Sequence, residues 1–177
     1  MKPDRIYHND YRIRLARPQD ILLLSVIERA AARLFADLDL VQNLDDTRSI
    51  EELGRAQEAS RLWVATEPGG QPVGFAMVIE VDGLAHLDEL DVHPEHGRRG
   101  LGTALVETVC AWAKSAGVKA ITLSTFADVA WNAPFYARIG FRTLAEDELT
   151  EGLLRLREIE AGLGLPISKR VMMRREL

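Results

Sequence analysis

The sequence predicts an α/β (α+β) fold, a mixed and mostly antiparallel sheet of about six to seven strands flanked by helices. Three observations lead there. Segments of period two alternate with segments of helical period along the chain, turn pairs such as Asp82-Gly83 join neighbouring strands, and a turn rich in glycine and arginine separates a strand from a long amphipathic helix.

Taken in order, Tyr11 to Ala16 alternates polar and apolar residues as a first strand. Asp20 stands where a helix cap belongs, ahead of Ile21, Leu24, Ile27, Ala31 and Leu34 at helical spacing. Ser49 and Glu52 have the spacing of a capping box, so a second helix starts there. Leu62 to Thr66 reads as a second strand, which Pro68-Gly69-Gly70 turns back into a third, Val73 to Val81. Asp82-Gly83 suits a two-residue turn with positive φ, so Leu84 to Val92 returns antiparallel as a fourth. Gly100 to Ala116 is a strong helix with Leu101, Leu105, Val109 and Trp112 on one stripe, and Gly117 ends it. Lys119 to Ser124 is a fifth strand. Asn132 caps a short helix from Ala133 to Ile139, stopped by Gly140, and Phe141 to Leu144 is a sixth strand. A charged helix around Leu149 to Ala161 has Leu153, Leu156 and Leu163 on its apolar side and precedes a terminal strand, Arg170 to Arg175. Three uses are open to this helix: covering the core, walling a pocket, or forming a dimer face.

Residues 1–177 make one domain, with a core over about 11–145 and a final helix and strand over 146–177. Hydrophobic residues are 47% and charged residues 28%, and no segment reaches the ~18 consecutive apolar residues of a membrane span. The polar opening MKPDRIYHNDYR has no apolar core of the signal-peptide kind, so the expected location is the cytoplasm. A net charge of −5 argues against a nucleic-acid-binding face, which needs clustered Lys and Arg to displace counterions. The single cysteine, Cys110, lies on an apolar helix side beside Val106 and Val109 and reads as buried filler.

The most informative stretch is DVHPEHGRRGLGTALVETV, where a strand ends at Val92 and a Gly- and Arg-rich turn opens onto a helix at Gly100. The first turn of a helix leaves backbone N–H donors unpaired and carries partial positive charge, so an anion is stabilised against Leu101, Gly102 and Thr103. Gly97, Gly100 and Gly102 let a ligand approach the backbone, and Arg98 and Arg99 add charge-assisted contacts. A Walker loop would need a Lys that Leu101-Gly102-Thr103 lacks. A dinucleotide fold would need a parallel βαβ unit and an acid closing the next strand, where Ile121-Thr122-Leu123-Ser124 stands instead.

LDELDVHPEHGRRGLGTAL resembles the coenzyme-A-binding motif of the GNAT superfamily, an apolar strand ending in Val, then Pro, then R/Q-x-x-G-x-G/A at a helix start. WNAPFYARIGF resembles the family's following segment, a short helix that carries a Tyr and ends in Gly-Phe. The order of elements fits from Tyr11 to the C-terminus. One departure is that the family's Arg or Gln position falls on Gly97, with the arginines following at Arg98 and Arg99.

The resemblance implies a sheet with a V-shaped splay between the fourth and fifth strands, acetyl-CoA as acyl donor without a metal, and an amine as acceptor. It further implies that main-chain groups around Leu90, Asp91 and Val92 pair with the pantetheine arm like an added strand. A non-catalytic acyl-CoA-binding module is the alternative, and a homodimer is open.

Amine acetylation needs a neutral nucleophile, a held carbonyl, and a proton for the departing thiolate. Simple alternation places His86, Asp88, Leu90 and Val92 on one strand face and Leu87, Glu89 and Asp91 on the other. His86 and Asp88 match positions where the family often carries proton acceptors. Glu89 joins them because a local bulge would invert the face it serves. Tyr136 matches the family tyrosine near the coenzyme sulfur, placed to protonate the thiolate. Asn132, besides capping, has a coenzyme contact open to it, and the Leu90 N–H is a donor for the thioester oxygen. The acceptor itself has no code in the sequence.

Overall fold

Short polar–apolar alternations and glycine turns build a meander over the first half of the chain. Its strands are β1 (Arg5–Tyr7), β2 (Tyr11–Leu15), β3 (Leu62–Thr66), β4 (Pro72–Val81) and β5 (Leu84–Val92), each antiparallel to the one before. Asp82 and Gly83 both take positive φ, 51° and 75°, in the β4–β5 hairpin, as that residue pair requires. The second half adds β6 (Ala120–Phe126), β7 (Arg142–Thr143) and β8 (Arg170–Glu176). The computed structural model, which describes the backbone of residues 5–7 together with residues 10–41 and 43–177, gives one 8-stranded sheet in the order β1-β2-β3-β4-β5-β6-β8-β7. Among the described residues only β5 and β6 pair in parallel, so the sheet is mixed and mostly antiparallel as expected, with Arg5–Tyr7 added at its edge.

Helices cover both faces. The long helix α3 (Leu101–Ser115) buries Leu101, Leu105 and Val109 against Trp63, Ala76, Val78, Leu87, Ile121 and Leu123. Trp112 is half-buried and stands edge-on to Trp63 at 5.2 Å. On the opposite face α1 (Ile21–Ala32) and α2 (Ile50–Glu58) bury Ile21, Leu24, Ile27 and Leu53 against Leu62, Val64, Phe75 and Met77. The short α4 (Ala133–Arg138) follows β6, and α5 (Glu151–Gly162) packs Leu153 against Leu144 and Met172. Of the three uses open to α5, covering the core is thus realised. Cys110 is buried, and burial pushes its thiol up to about 11.

Several local expectations are corrected. Asp20 does not cap α1. Its buried carboxylate accepts hydrogen bonds from Arg14 at 2.6 and 3.0 Å and from the Arg17 N–H at 2.7 Å, partners that outbid the helix amides. Burial alone would raise that carboxyl, but these donors hold it below its ordinary value. Leu34 falls in a 3-10 turn after α1 and is exposed, because the change of helical pitch rotates it off the buried stripe. Leu163 lies past the end of α5 and is also exposed. The Ser49–Glu52 capping box forms on both sides. Among the described residues no helix is long and apolar enough to cross a membrane. Residues 1–4 of the polar opening lie outside the described residues.

Candidate active site

The β5–β6 ladder runs through Ala85↔Ile121, His86↔Thr122 and Leu87↔Leu123 and then stops. Beyond Leu87 the strands diverge, so the β6-facing main chain of Asp88 to Val92 has no strand partner while its other edge stays paired to β4. This is the expected splay between the fourth and fifth strands counted from Tyr11, and it opens directly below the start of α3.

That start is built from an unusual backbone. Val92 gives way to a 3-10 turn at Pro94–His96, Gly97 is extended, Arg98 takes φ 57°, and Gly100 takes φ 76° as the residue before α3. The first helical bond runs from the Ala104 N–H to the Gly100 carbonyl, and no side chain caps the helix. The amides of Leu101, Gly102 and Thr103 therefore have no helical acceptor, which leaves a positive, donor-rich surface of the kind that holds phosphate. Arg98 and Arg99 are exposed beside it. Tyr11, which sequence reading placed only in a strand, braces the turn: its hydroxyl shares a 2.8 Å hydrogen bond with His96 Nδ1, and the Arg99 guanidinium lies 5.8 Å from its ring centre. Gly97 sits under the turn, where a Cβ would stand 3.1 Å from the Pro94 carbonyl oxygen.

The strand faces differ from simple alternation. Opposite β4, Met77 pairs with Glu89 and Val78 with Leu87, so Asp88 is an extra residue, a bulge. Leu87, Leu90 and Val92 consequently share the α3 face, while Glu89 and Asp91 pair with Met77 and Phe75 of the α1 face. His86 faces with Ile79 on that second side. The expected grouping of His86 with Leu90 and Val92, and of Leu87 with Glu89, is corrected by this one residue.

The bulge gathers acids under α1. Arg48, from the linker between α1 and α2, pairs with Asp88 at 2.9 Å and Glu89 at 3.3 Å. Its own N–H donates to both carboxylate oxygens of Glu28 on α1, at 3.0 and 2.9 Å. Burial pushes Glu28 up to about 7, with the charge of Glu89 adding to it against the pull of Arg48. Burial likewise raises Asp88 and Glu89 in spite of Arg48. Asp91 is held well above its ordinary range by burial and by the charges of Glu89 and Glu28, and its Oδ2 is buried without a hydrogen-bond partner. Arg48 stays charged, since Asp88 and Glu89 outweigh the cost of its burial.

His86 is buried and shares a 2.9 Å hydrogen bond with Thr122 across the last rungs of the ladder. Burial pulls it down to about 4, so it is neutral at pH 7. Tyr136 on α4 is buried between Phe135 and Phe141, with ring centres 5.0 and 5.6 Å away. Burial raises its hydroxyl, and the charges of Glu89 and Asp91 raise it further, so it keeps its proton. Asn132 occupies the cap position of α4 with its main chain, but its side chain accepts a 2.6 Å hydrogen bond from Thr125 on β6 instead of capping. The structure thus brings Tyr136, Glu89, Asp91 and Asp88 to one splay with the turn at its rim. Glu28 and Arg48 were missed from sequence. Glu28 had a signal, an acid at the buried spacing of Leu24 and Ala31; Arg48, in an irregular linker, had none.

A model described as the Acetyltransferase (GNAT) family matches residues 25–141. The uncharacterized N-acetyltransferase YafP of Escherichia coli (strain K12) is 30% identical over 148 residues, 80% of this chain and 87% of that protein. The uncharacterized N-acetyltransferase MJ1207 of Methanocaldococcus jannaschii is 33% identical over 97 residues, 51% of this chain, and the match spans only 42% of that relative. Among solved structures, the PaiA N-acetyltransferase of Thermoplasma acidophilum in complex with coenzyme A superposes with a TM-score of 0.71 at 17% identity, over 94% of this chain and 99% of that one. N-acetylglutamate synthase of Neisseria gonorrhoeae, complexed with coenzyme A and N-acetyl-glutamate, gives a TM-score of 0.70 at 21% identity, over 94% of this chain and 35% of that one. These two likenesses are of fold.

Proposed function

The chain belongs to the GNAT acetyltransferase family, and on that premise we propose that it transfers the acetyl group of acetyl-CoA to a primary amine by direct attack in a ternary complex. The observation that carries the reading is the junction of an uncapped α3 start with the open edge of β5. The turn from Gly97 to Thr103 would hold the pyrophosphate through main-chain amides, with Arg98 and Arg99 adding charge. The pantetheine arm would lie along Leu90, Asp91 and Val92 as an added strand, which brings the thioester down the splay toward Tyr136. Asn132 stands near that path, though its side chain already serves Thr125.

In the transfer itself the amine nitrogen attacks the thioester carbon, a C–N bond forms, and the C–S bond breaks. The Leu90 N–H, on the open edge of β5, would stabilise the oxygen as it gains charge. Tyr136, protonated in its apolar setting, supplies the proton that the leaving thiolate takes up, and the second proton that the nitrogen sheds on becoming an amide restores the Tyr136 hydroxyl. The proton of the incoming ammonium passes to the carboxylates on the α1 face, Glu89 and Asp88 from the strand and Glu28 from the helix. Glu28 is suited to this, because an acid titrating at about 7 can accept and release a proton at neutral pH. His86, neutral and tied to Thr122, serves by fixing the ladder one rung before the strands part.

Calorimetry with coenzyme A and a thiol-release screen across amine classes test the proposal together. Binding of the coenzyme with release of thiol on at least one amine is expected. An absence of binding at saturating coenzyme A would remove both donor and activity.

A further inference from the structure

The charge on the acceptor side of the splay does not balance. Four carboxylates from two elements, Glu28 of α1 and Asp88, Glu89 and Asp91 of β5, gather there around Arg48, whose guanidinium pairs with Asp88 and Glu89, whose main-chain N–H serves Glu28, and which leaves Asp91 Oδ2 without a hydrogen-bond partner among the described residues. The other charged groups nearby are already spent. Glu160 of α5 is held by Arg170 at 2.9 Å and by the Ser124 hydroxyl at 2.9 Å, and Glu52 of α2 serves the Ser49 cap at its rim. His86 and Tyr136 are neutral.

An attacking amine cannot supply the missing charge. It must shed its proton to become a nucleophile, so at the moment of reaction it contributes to the cluster only that proton. With Arg48 cancelling one carboxylate and the transferred proton a second, two are left without a cation, and burial favours their protonated forms until one arrives. One of them belongs to Asp91, whose Oδ2 is buried and has no hydrogen-bond partner, a costly state for a polar atom that a ligand's donor would relieve. Arg48 marks what such a donor looks like. It reaches the acids from an irregular linker, so the strand and α1 already hold a cation that neither of them carries.

We propose that the acceptor is a dication, an amine bearing a second positive charge that stays protonated and docks on Asp91 and its neighbouring carboxylates while the first nitrogen is acetylated. This rests on the acetyltransfer reading for the placement of the reacting nitrogen. It adds the chemical class of the substrate. Acceptors with a carboxylate beside the amine would be repelled by the same surplus.

The test is calorimetric binding of 1,4-diaminobutane and n-butylamine to the full chain saturated with coenzyme A, alongside turnover of the same pair with acetyl-CoA. The diamine should bind at least about 10-fold tighter than the monoamine, the scale of a close, partly desolvated charge pair. Its binding should also release more protons, read from buffers of different ionisation enthalpy, because the arriving charge favours the ionised acids. Asp91→Asn and, separately, Glu28→Gln should each bring the ratio of the two affinities toward one, with retained coenzyme A binding establishing that each variant is folded. Equal affinity for the two amines in the wild-type chain overturns the inference, as does a diamine preference untouched by both variants. Turnover of both amines at equal efficiency would sink the dication and leave acetyl transfer standing. A diamine preference in binding without thiol release on any amine would do the reverse.

Discussion

Tyr136 owes its chemistry to its surroundings more than to its type. Between two aromatic rings, and facing the charges of Glu89 and Asp91, its hydroxyl is a firm holder of a proton at neutral pH. Tyr136→Phe should therefore lower kcat by ~10²-fold with little change in coenzyme A affinity, measured by steady-state kinetics and calorimetry. Unchanged turnover would take the acid assignment away. Glu28 gives a second expectation, with a sign. Ionised above about 7 and protonated below, it is competent to accept a proton only on the alkaline side, so kcat should climb as pH rises through about 7. In Glu28→Gln that limb should vanish, whereas in Asp88→Asn it should persist. Sequence made Tyr136 visible because it sits in a motif. Glu28 was readable in principle, as a charge on a stripe otherwise buried, but its partners Arg48 and Glu89 come from far along the chain and only folding brings them together.

At the level of elements, the phosphate turn depends on backbone conformations that side chains resist. Gly100 sits at φ 76°, and although its missing Cβ would meet nothing within 4 Å, a β-branched residue in that region is strained by about 1–2 kcal/mol or more. Gly100→Val should weaken coenzyme A binding at least ~10-fold while the chain stays folded by circular dichroism. Gly74 guards the splay from the other side. A Cβ there would come within 2.8 Å of the Asp91 carbonyl oxygen and 3.1 Å of Val92 Cγ2, so β4 could not lie as close to the end of β5. Gly74→Ala is expected to cost about 1–3 kcal/mol in denaturant unfolding and to lower coenzyme affinity as well. Elements with local determinants were legible: the Ser49 box, the Asp82-Gly83 hairpin and the long amphipathic α3 all formed as read. The Asp88 bulge was not, since whether a strand holds an extra residue is decided by what it pairs with, and its partners Met77 and Val78 lie on β4, across the hairpin. For the same reason Asp20, spaced as a cap, was claimed by Arg14 on β2.

Over the whole molecule, the acid cluster sets a conflict between stability and readiness. The folded protein keeps Glu28 protonated up to about 7, while an exposed glutamate releases its proton near 4.5. Its folded pKa is raised, so the stability linked to that proton is fully present below 4.5 and is lost as pH rises through about 7. Glu28→Gln, neutral throughout, should grow progressively more stable than the wild type across that window, as read by melting temperature. A constant gap between the two chains would contradict the placement of the acid. The architecture as a whole, a mixed and mostly antiparallel sheet, was legible from the order of elements and the resemblance they carry, whereas the charge balance of the splay needed the two sides of the sheet to be seen at once.

The single surplus residue at Asp88 works like a shift of reading frame within one strand. Ahead of it the sequence is spelled for the α3 face, with Ala85 and Leu87 turned that way; behind it the same frame is resumed by Leu90 and Val92, and the acids fall on the α1 face. Ironing out the bulge, so that Asp88 paired with Met77 and each later residue slipped by one, would leave every side chain intact yet exchange the destinations of the last four, sending two carboxylates into the oily layer beneath α3 and two aliphatics into the reaction cleft. Point substitutions can erode this strand gradually, but a slip of its register by one residue would exchange the two faces at a stroke.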